Sequence, residues 1–175
     1  ENKMKKVLAF GASNSKTSIN QQFAMYTANL INKDYQLIDL NNYEMPIYSE
    51  DREKENGIPK KAEEFFNEIG KADIIVISFA EHNGTFTAAY KNIFDWISRI
   101  DQRVFQGKDL IFLSTSVGEM GASNVLNQAI NSLPFFDGNL LFSYSLQSYY
   151  ENFEEGKISN KKIREEFEKK LKESI

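Results

Sequence analysis

The sequence predicts an α/β protein built on a doubly wound sheet of five parallel strands, with helices on both faces. Two observations point there. Short, wholly apolar runs rich in β-branched residues recur without polar alternation, as in Ile74-Ile75-Val76-Ile77, and such strands are covered on both sides. Between them lie longer segments whose apolar residues recur at three- and four-residue steps, the helical period. Strands alternating with helices then imply right-handed crossovers in one open sheet.

Val7 to Phe10 is the first apolar run, and a polar loop from Gly11 to Thr17 ends it. From Ser18 the pattern turns helical, through Phe23, Ala24, Ala28, Leu30 and Ile31. Tyr35 to Leu40 reads as the second strand, followed by a long polar stretch from Asn41 to Gly57. Pro59 suits a helix's first turn; that helix runs through Phe65, Phe66 and Ile69, with Gly70 expected to close it. Asp73 to Phe79 is the clearest strand, and after the loop Ala80 to Phe86 a helix spans Thr87 to about Ile100. Leu110 to Ser114 is the fourth strand, its loop Thr115 to Met120 opening a helix that ends near Ser132. Leu140 to Tyr144 is the fifth, and a charged helix from Ser159 carries Ile163, Phe167 and Leu171 on one stripe.

The 175 residues suffice for one domain, expected to cover 1–175 without an internal repeat. The formal net charge of −4 argues against general nucleic-acid binding, which needs a basic patch. The absence of cysteine excludes thiol nucleophiles, Cys-held zinc, iron–sulfur clusters and disulfides, and fits a cytoplasmic location. A single histidine argues against a Ser-His-Asp triad and a His-rich metal site, so no metal is expected. No apolar run approaches the roughly 20 residues a membrane helix needs, and Val7 to Phe10 is too short for a signal-peptide core.

Ligands of open parallel sheets bind beyond the carboxyl ends of the strands. Three loops leave those ends. Gly11 to Asn20 offers Ser13, Ser15, Thr17 and Ser18 where a helix begins. Unpaired N–H groups and the helix dipole there attract phosphate, although an N-cap also favours Ser, Thr and Asn. A P-loop is rejected, because no glycine precedes Lys16 and the spacing is one residue short. In the second loop, Asn83-Gly84 signals a tight turn. His82 reads either as an acid–base group or as a flat side chain packed near a ring. The third, Ser114 to Gly121, carries two glycines that allow close backbone approach. The tetrapeptide Gly-Ala-Ser-Asn occurs at Gly11 and again at Gly121, each time between strand and helix, so both copies are candidate cofactor-facing loops.

Together these loops resemble the NADPH-dependent FMN reductases of flavodoxin-like fold, which include quinone and azo-dye reductases. Gly11 to Asn20 is similar to that family's Gly-Ser-x-Arg-x-x-Ser-x-Asn, with one extra residue after Gly11. Glu81-His82-Asn83-Gly84 followed by Lys91-Asn92-Ile93-Phe94-Asp95-Trp96 resembles its Pro-Glu-Tyr-Asn-Gly and Lys-Asn-x-x-Asp-Trp segments. Ser114 to Gly118 resembles Ser-Thr-Ser-Pro-Gly. Asn14 stands where the family usually has Arg, Ala80 where it has Pro, and His82 where it has Tyr.

The resemblance implies FMN as cofactor and NADPH or NADH as donor, with a flavin, quinone or azo compound as the small-molecule acceptor. It places the phosphate on Ser13, Ser15, Ser18, Ile19 and Asn20. The ring would lie against Glu81, His82, Asn83, Gly84 and Thr85, with Ser116, Val117 and Gly118 on its other side. No protein group need act as catalytic acid or base, since the cofactor carries the chemistry. A flavodoxin-type electron carrier and a binding protein without turnover are the alternative readings. The helix from Ala88 has apolar residues on more of its circumference than one sheet covers, and the resemblance implies a homodimer or tetramer around it and the helix at Pro59. Trp96 is then expected at or beside that interface.

Overall fold

The computed structural model describes residues 3–175. In chain order it contains β1 (Val7–Ala12), α1 (Ile19–Ile31), β2 (Gln36–Leu37), α2 (Glu50–Asn56), α3 (Lys60–Lys71) and β3 (Ile74–Phe79). A hairpin of β4 (Glu81–His82) and β5 (Thr85–Phe86) leads to α4 (Ala88–Ser98), β6 (Asp109–Thr115), α5 (Ser123–Ser132) and β7 (Asn139–Leu146). The short α6 (Tyr149–Asn152), a hairpin of β8 (Phe153–Glu154) and β9 (Lys157–Ile158), and α7 (Lys161–Ser174) complete it.

Five strands form one parallel sheet in the order β2-β1-β3-β6-β7. This is the predicted doubly wound, flavodoxin-like sheet. The period-two alternation of the strands divides the core between its faces. Leu8, Phe10, Ile75, Ile77, Leu110 and Phe112 pack against α3, α4 and α5. Val7, Ala9, Ile74, Val76, Ile111 and Leu113 pack on the other side, where Phe23 of α1 and Phe167 of α7 lie 5.6 Å apart, ring to ring. Among the described residues no helix is long and apolar enough to cross a membrane.

Several element boundaries depart from expectation; β1, for one, continues through Gly11 and Ala12. The strand expected over Tyr35 to Leu40 pairs only at Gln36 and Leu37, with one further bond from Ile38 N–H to Ala9 O (2.9 Å). It ends because Asp39 Oδ1 accepts from Asn41 N–H (2.9 Å) and caps a 3₁₀ turn at Leu40–Tyr43. The polar stretch beyond contains α2, capped by Ser49 Oγ and ended by Gly57 at φ +72°. Gly70 does not end α3, which continues to Lys71. The helix from Thr87 stops at Ser98.

The segment from Leu40 to Ile58 straps across α4, and this corrects the expectation for Trp96. Trp96 is only 1% exposed, its Nε1–H donates to Pro46 O (2.7 Å), and its ring stands edge-on to Tyr48 at 5.0 Å. Asn92 accepts from Tyr48 N–H (2.8 Å) and donates to Met45 O and Pro46 O (both 3.2 Å). The second apolar side of α4 is therefore covered by the chain's own strap. Trp96→Ala is expected to cost about 3–5 kcal/mol of stability in urea unfolding, with the sedimentation coefficient of the folded protein unchanged. A variant that unfolds like the wild type would contradict the core placement.

Candidate functional site

The strand order reverses between β1 and β3, so the loops leaving their carboxyl ends diverge and open a crevice. A groove of about 310 Å³ lies there. All three predicted loops reach it: Ser13, Ser15, Ser18, Ile19 and Asn20 from the first, Glu81 and His82 from the second, Ser116 and Val117 from the third.

The first loop is ordered by its own hydroxyls. Ser13 Oγ accepts from Ser15 N–H (3.1 Å), and Ser15 Oγ from Thr17 N–H (3.3 Å). Ser18 is the N-cap of α1, its Oγ accepting from Gln21 N–H (3.1 Å). The first intrahelical bond runs from Gln22 N–H to Ser18 O (3.3 Å), so the N–H groups of Ile19 and Asn20 have no carbonyl to meet within the helix. They form the positive end of α1 at the groove floor. Neither lysine nor arginine lines the groove, and Lys16 is exposed beside it. Attraction for an anion comes from backbone donors, hydroxyls and the helix dipole.

Asn20 lines the groove, but its side chain serves as a brace. Oδ1 accepts from Ser78 Oγ (2.8 Å) and Thr115 N–H (3.0 Å), while Nδ2 donates to Thr115 O (3.1 Å). The ends of β3 and β6 are thereby tied to the first turn of α1 in a fully buried network. The backbone N–H of Asn20 is the part that faces outward in chemistry.

The second loop folds as the β4–β5 hairpin, with Asn83 and Gly84 at φ +54° and +81° as its turn. Glu81 Oε1 accepts from Val125 N–H (2.7 Å), capping α5 from outside, and Thr85 Oγ1 donates to Gln128 Oε1. The hairpin is thus pinned to α5. Its tip carries Asn83, Gly84 and Thr85 exposed and outside the groove walls. Glu81 and the exposed His82 remain at the wall.

The third loop is held by the start of α6: Ser148 N–H donates to Gly118 O (2.9 Å) and Tyr149 N–H to Ser116 O (3.0 Å). Gly118 is turned to that contact and lies outside the groove walls, whereas Val117 is 65% exposed at the rim. The second Gly-Ala-Ser-Asn copy does not reach the groove. Gly121 O accepts from Ser114 Oγ (2.7 Å) and Ser145 Oγ (2.8 Å), and a Cβ on Gly121 would collide with Ser145 Oγ. Thr17, Ala80 and Thr115 also line the groove from within the predicted loops, and one wall residue lies outside those loops: Tyr150, 71% exposed, arrives from beyond β7. The signal was its place at a fifth strand's carboxyl end, where only three loops were considered.

Fold and groove define a flavodoxin-like α/β protein with a crevice at the switch point lined by hydroxyls and a helix start. Residues 5–151 match the NADPH-dependent FMN reductase family, and the chain belongs to it. The chain is 29% identical over 98 residues to a quinone reductase of Escherichia coli (strain K12), covering 56% of this chain and 52% of that one. It thus spans about half the length of that relative. It is 31% identical over 119 residues to a 2-hydroxy-1,4-benzoquinone reductase of Burkholderia sp, covering 67% of this chain and 64% of the relative. Among solved structures, the flavoenzyme NAD(P)H:(acceptor) oxidoreductase FerB of Paracoccus denitrificans shares the fold at a TM-score of 0.77 and 20% identity, covering 97% and 94% of the two chains.

Family membership makes FMN the cofactor this groove has to fit. The donor set fits: hydroxyls and free helix-start N–H groups suit a phosphate, and Gly11 lets them stand against β1. A Cβ on Gly11 would lie 2.5 Å from Gln21 N and 2.7 Å from Gln21 Cα. Asn20→Ala is expected to lower stability by about 3 kcal/mol in urea unfolding, because buried Ser78 and Thr115 lose their partner. It is expected to weaken FMN binding as well; unchanged values of both would contradict the brace.

Proposed function

We propose that the protein is an FMN-dependent NAD(P)H oxidoreductase whose acceptor is a quinone. The observation that carries the reading is the groove itself, with hydroxyls and helix-start N–H groups at one end and an exposed rim of His82, Val117 and Tyr150 at the other. Family membership and the two quinone-reducing relatives support it.

When bound, FMN supplies the redox chemistry, taking hydride from NAD(P)H and passing electrons to the acceptor. Ser13 and Ser18 already accept from neighbouring backbone N–H groups, which leaves each hydroxyl proton free to point at phosphate. Ile19 and Asn20 add backbone N–H donors. Glu81 and Ser116 hold their segments of the wall in place through α5 and α6, so the ring would be flanked by fixed backbone. His82, Val117 and Tyr150 are free to shape what covers it. A homo-oligomer belongs to the same reading, although the exposed positions of α4 are Ala88 and Lys91, with Arg99 just past its end.

FMN is expected to bind at least about a hundredfold more tightly than riboflavin, since charge-assisted bonds to phosphate contribute about 1.5–3 kcal/mol each. Calorimetric titration of both ligands decides this, and equal affinities would remove the phosphate site. With FMN present, steady turnover of NADPH with 1,4-benzoquinone is expected; NADPH oxidation that no quinone accelerates would overturn the acceptor class. His82→Phe is expected to change the ranking of acceptors by kcat/KM while leaving stopped-flow flavin reduction by NADPH within about threefold. A hundredfold slower reduction would make His82 a catalytic residue.

A further inference from the structure

A second cavity, also about 310 Å³, opens between α4 and α5 and shares no lining residue with the strand-end groove. Its walls are mainly aromatic, built by Phe79, Phe86, Phe94, Phe112 and Phe136, with Ser98, Gln128 and Ser132 as polar members. At its mouth Lys91 and Asp95 pair with each other (2.6 Å), so no unmatched charge is offered to a ligand. Its volume is at the lower end of the small-molecule range.

The independent feature is Tyr90. The residue is only 5% exposed and its ring is packed among Phe79, Phe86 and Phe94, with centroids 5.4, 5.4 and 5.9 Å away. Its hydroxyl takes part in none of the side-chain hydrogen bonds among the described residues. No sealed side-chain polar atom among the described residues lacks a partner, so the hydroxyl keeps some contact with solvent, and Tyr90 is one of the residues that line the cavity. Burial pushes the Tyr90 phenol well above its ordinary range, which keeps it a neutral donor. A donor without a protein partner, on a residue that lines a mainly aromatic chamber, is half of a hydrogen bond.

We infer that this cavity binds a small, neutral, planar aromatic molecule carrying one hydrogen-bond acceptor, which the Tyr90 hydroxyl meets. Aromatic walls favour a flat ring through edge and offset contacts. The self-paired mouth disfavours an ion, which would find no unmatched counter-charge there. This inference stands apart from the proposed activity. The hairpin links it to the groove, since its Phe86 borders the cavity while His82 borders the groove.

Coumarin is the probe, being a fused bicycle with one carbonyl and no charge, and naphthalene is its partner without the acceptor. Calorimetry is run on the full chain with and without saturating FMN. Coumarin is expected to bind one to one in both conditions. Tyr90→Phe is expected to weaken coumarin about fivefold and leave naphthalene unchanged, since one neutral hydrogen bond is lost. Ser132→Trp, at the cavity wall on the last turn of α5, is expected to abolish binding of both while the protein stays folded. Absence of binding at millimolar coumarin, displacement of coumarin by FMN, or equal loss of both probes in Tyr90→Phe would each overturn the inference.

Discussion

Everything at the strand ends depends on the buried amide of Asn20. Three hydrogen bonds from one side chain join α1 to β3 and β6, two strands that otherwise meet α1 only through apolar packing. Amides suit this position because one group both accepts twice and donates. The close approach needs Gly11 beneath it, where any Cβ would strike the backbone of Gln21. The result is a helix start fixed over the sheet's switch point, its free N–H groups aimed at one place before any ligand arrives.

The other walls follow the same logic, with polar groups spent on holding the frame. Glu81 directs its carboxylate to Val125 N–H at the start of α5, which keeps a negative group engaged at the edge of the groove. Thr115 bonds Leu146 O (2.7 Å), and Thr87 bonds Ala12 O (2.8 Å) while capping α4. Preorganisation of this kind lowers the cost of ordering on binding. The rim is different: His82, Val117 and Tyr150 have exposed side chains, so substitutions there alter what enters the groove more than the groove itself.

The sheet and its two-sided burial were legible in the sequence because β1, β3 and β6 carry the unbroken apolar runs Val7 to Phe10, Ile74 to Ile77 and Leu110 to Leu113. The helix α2 was hidden because Glu50 to Asn56 buries nothing, leaving no periodicity to read, and only Ser49 and Gly57 mark its ends. Trp96 was misplaced for a related reason. A wide apolar stripe shows that something covers it, and only the folded strap shows that Tyr48 and Pro46 do. The first loop's hydroxyls and the hairpin turn at Asn83-Gly84 were visible as local chemistry. The bracing role of Asn20 was not, since its partners lie 58 and 95 residues away. Tyr150 was missed because the chain beyond β7 carries no glycine-rich or hydroxyl-rich signature of a ligand loop.

The central claim is that FMN sits on the helix-start donors at the switch point. An amide ¹H–¹⁵N correlation spectrum recorded during FMN titration tests it residue by residue. The account predicts the largest shifts at Ser18, Ile19 and Asn20, with a second group at His82, Ser116 and Val117. Shifts confined to α4 and α5, or a spectrum that FMN leaves unmoved, would contradict it.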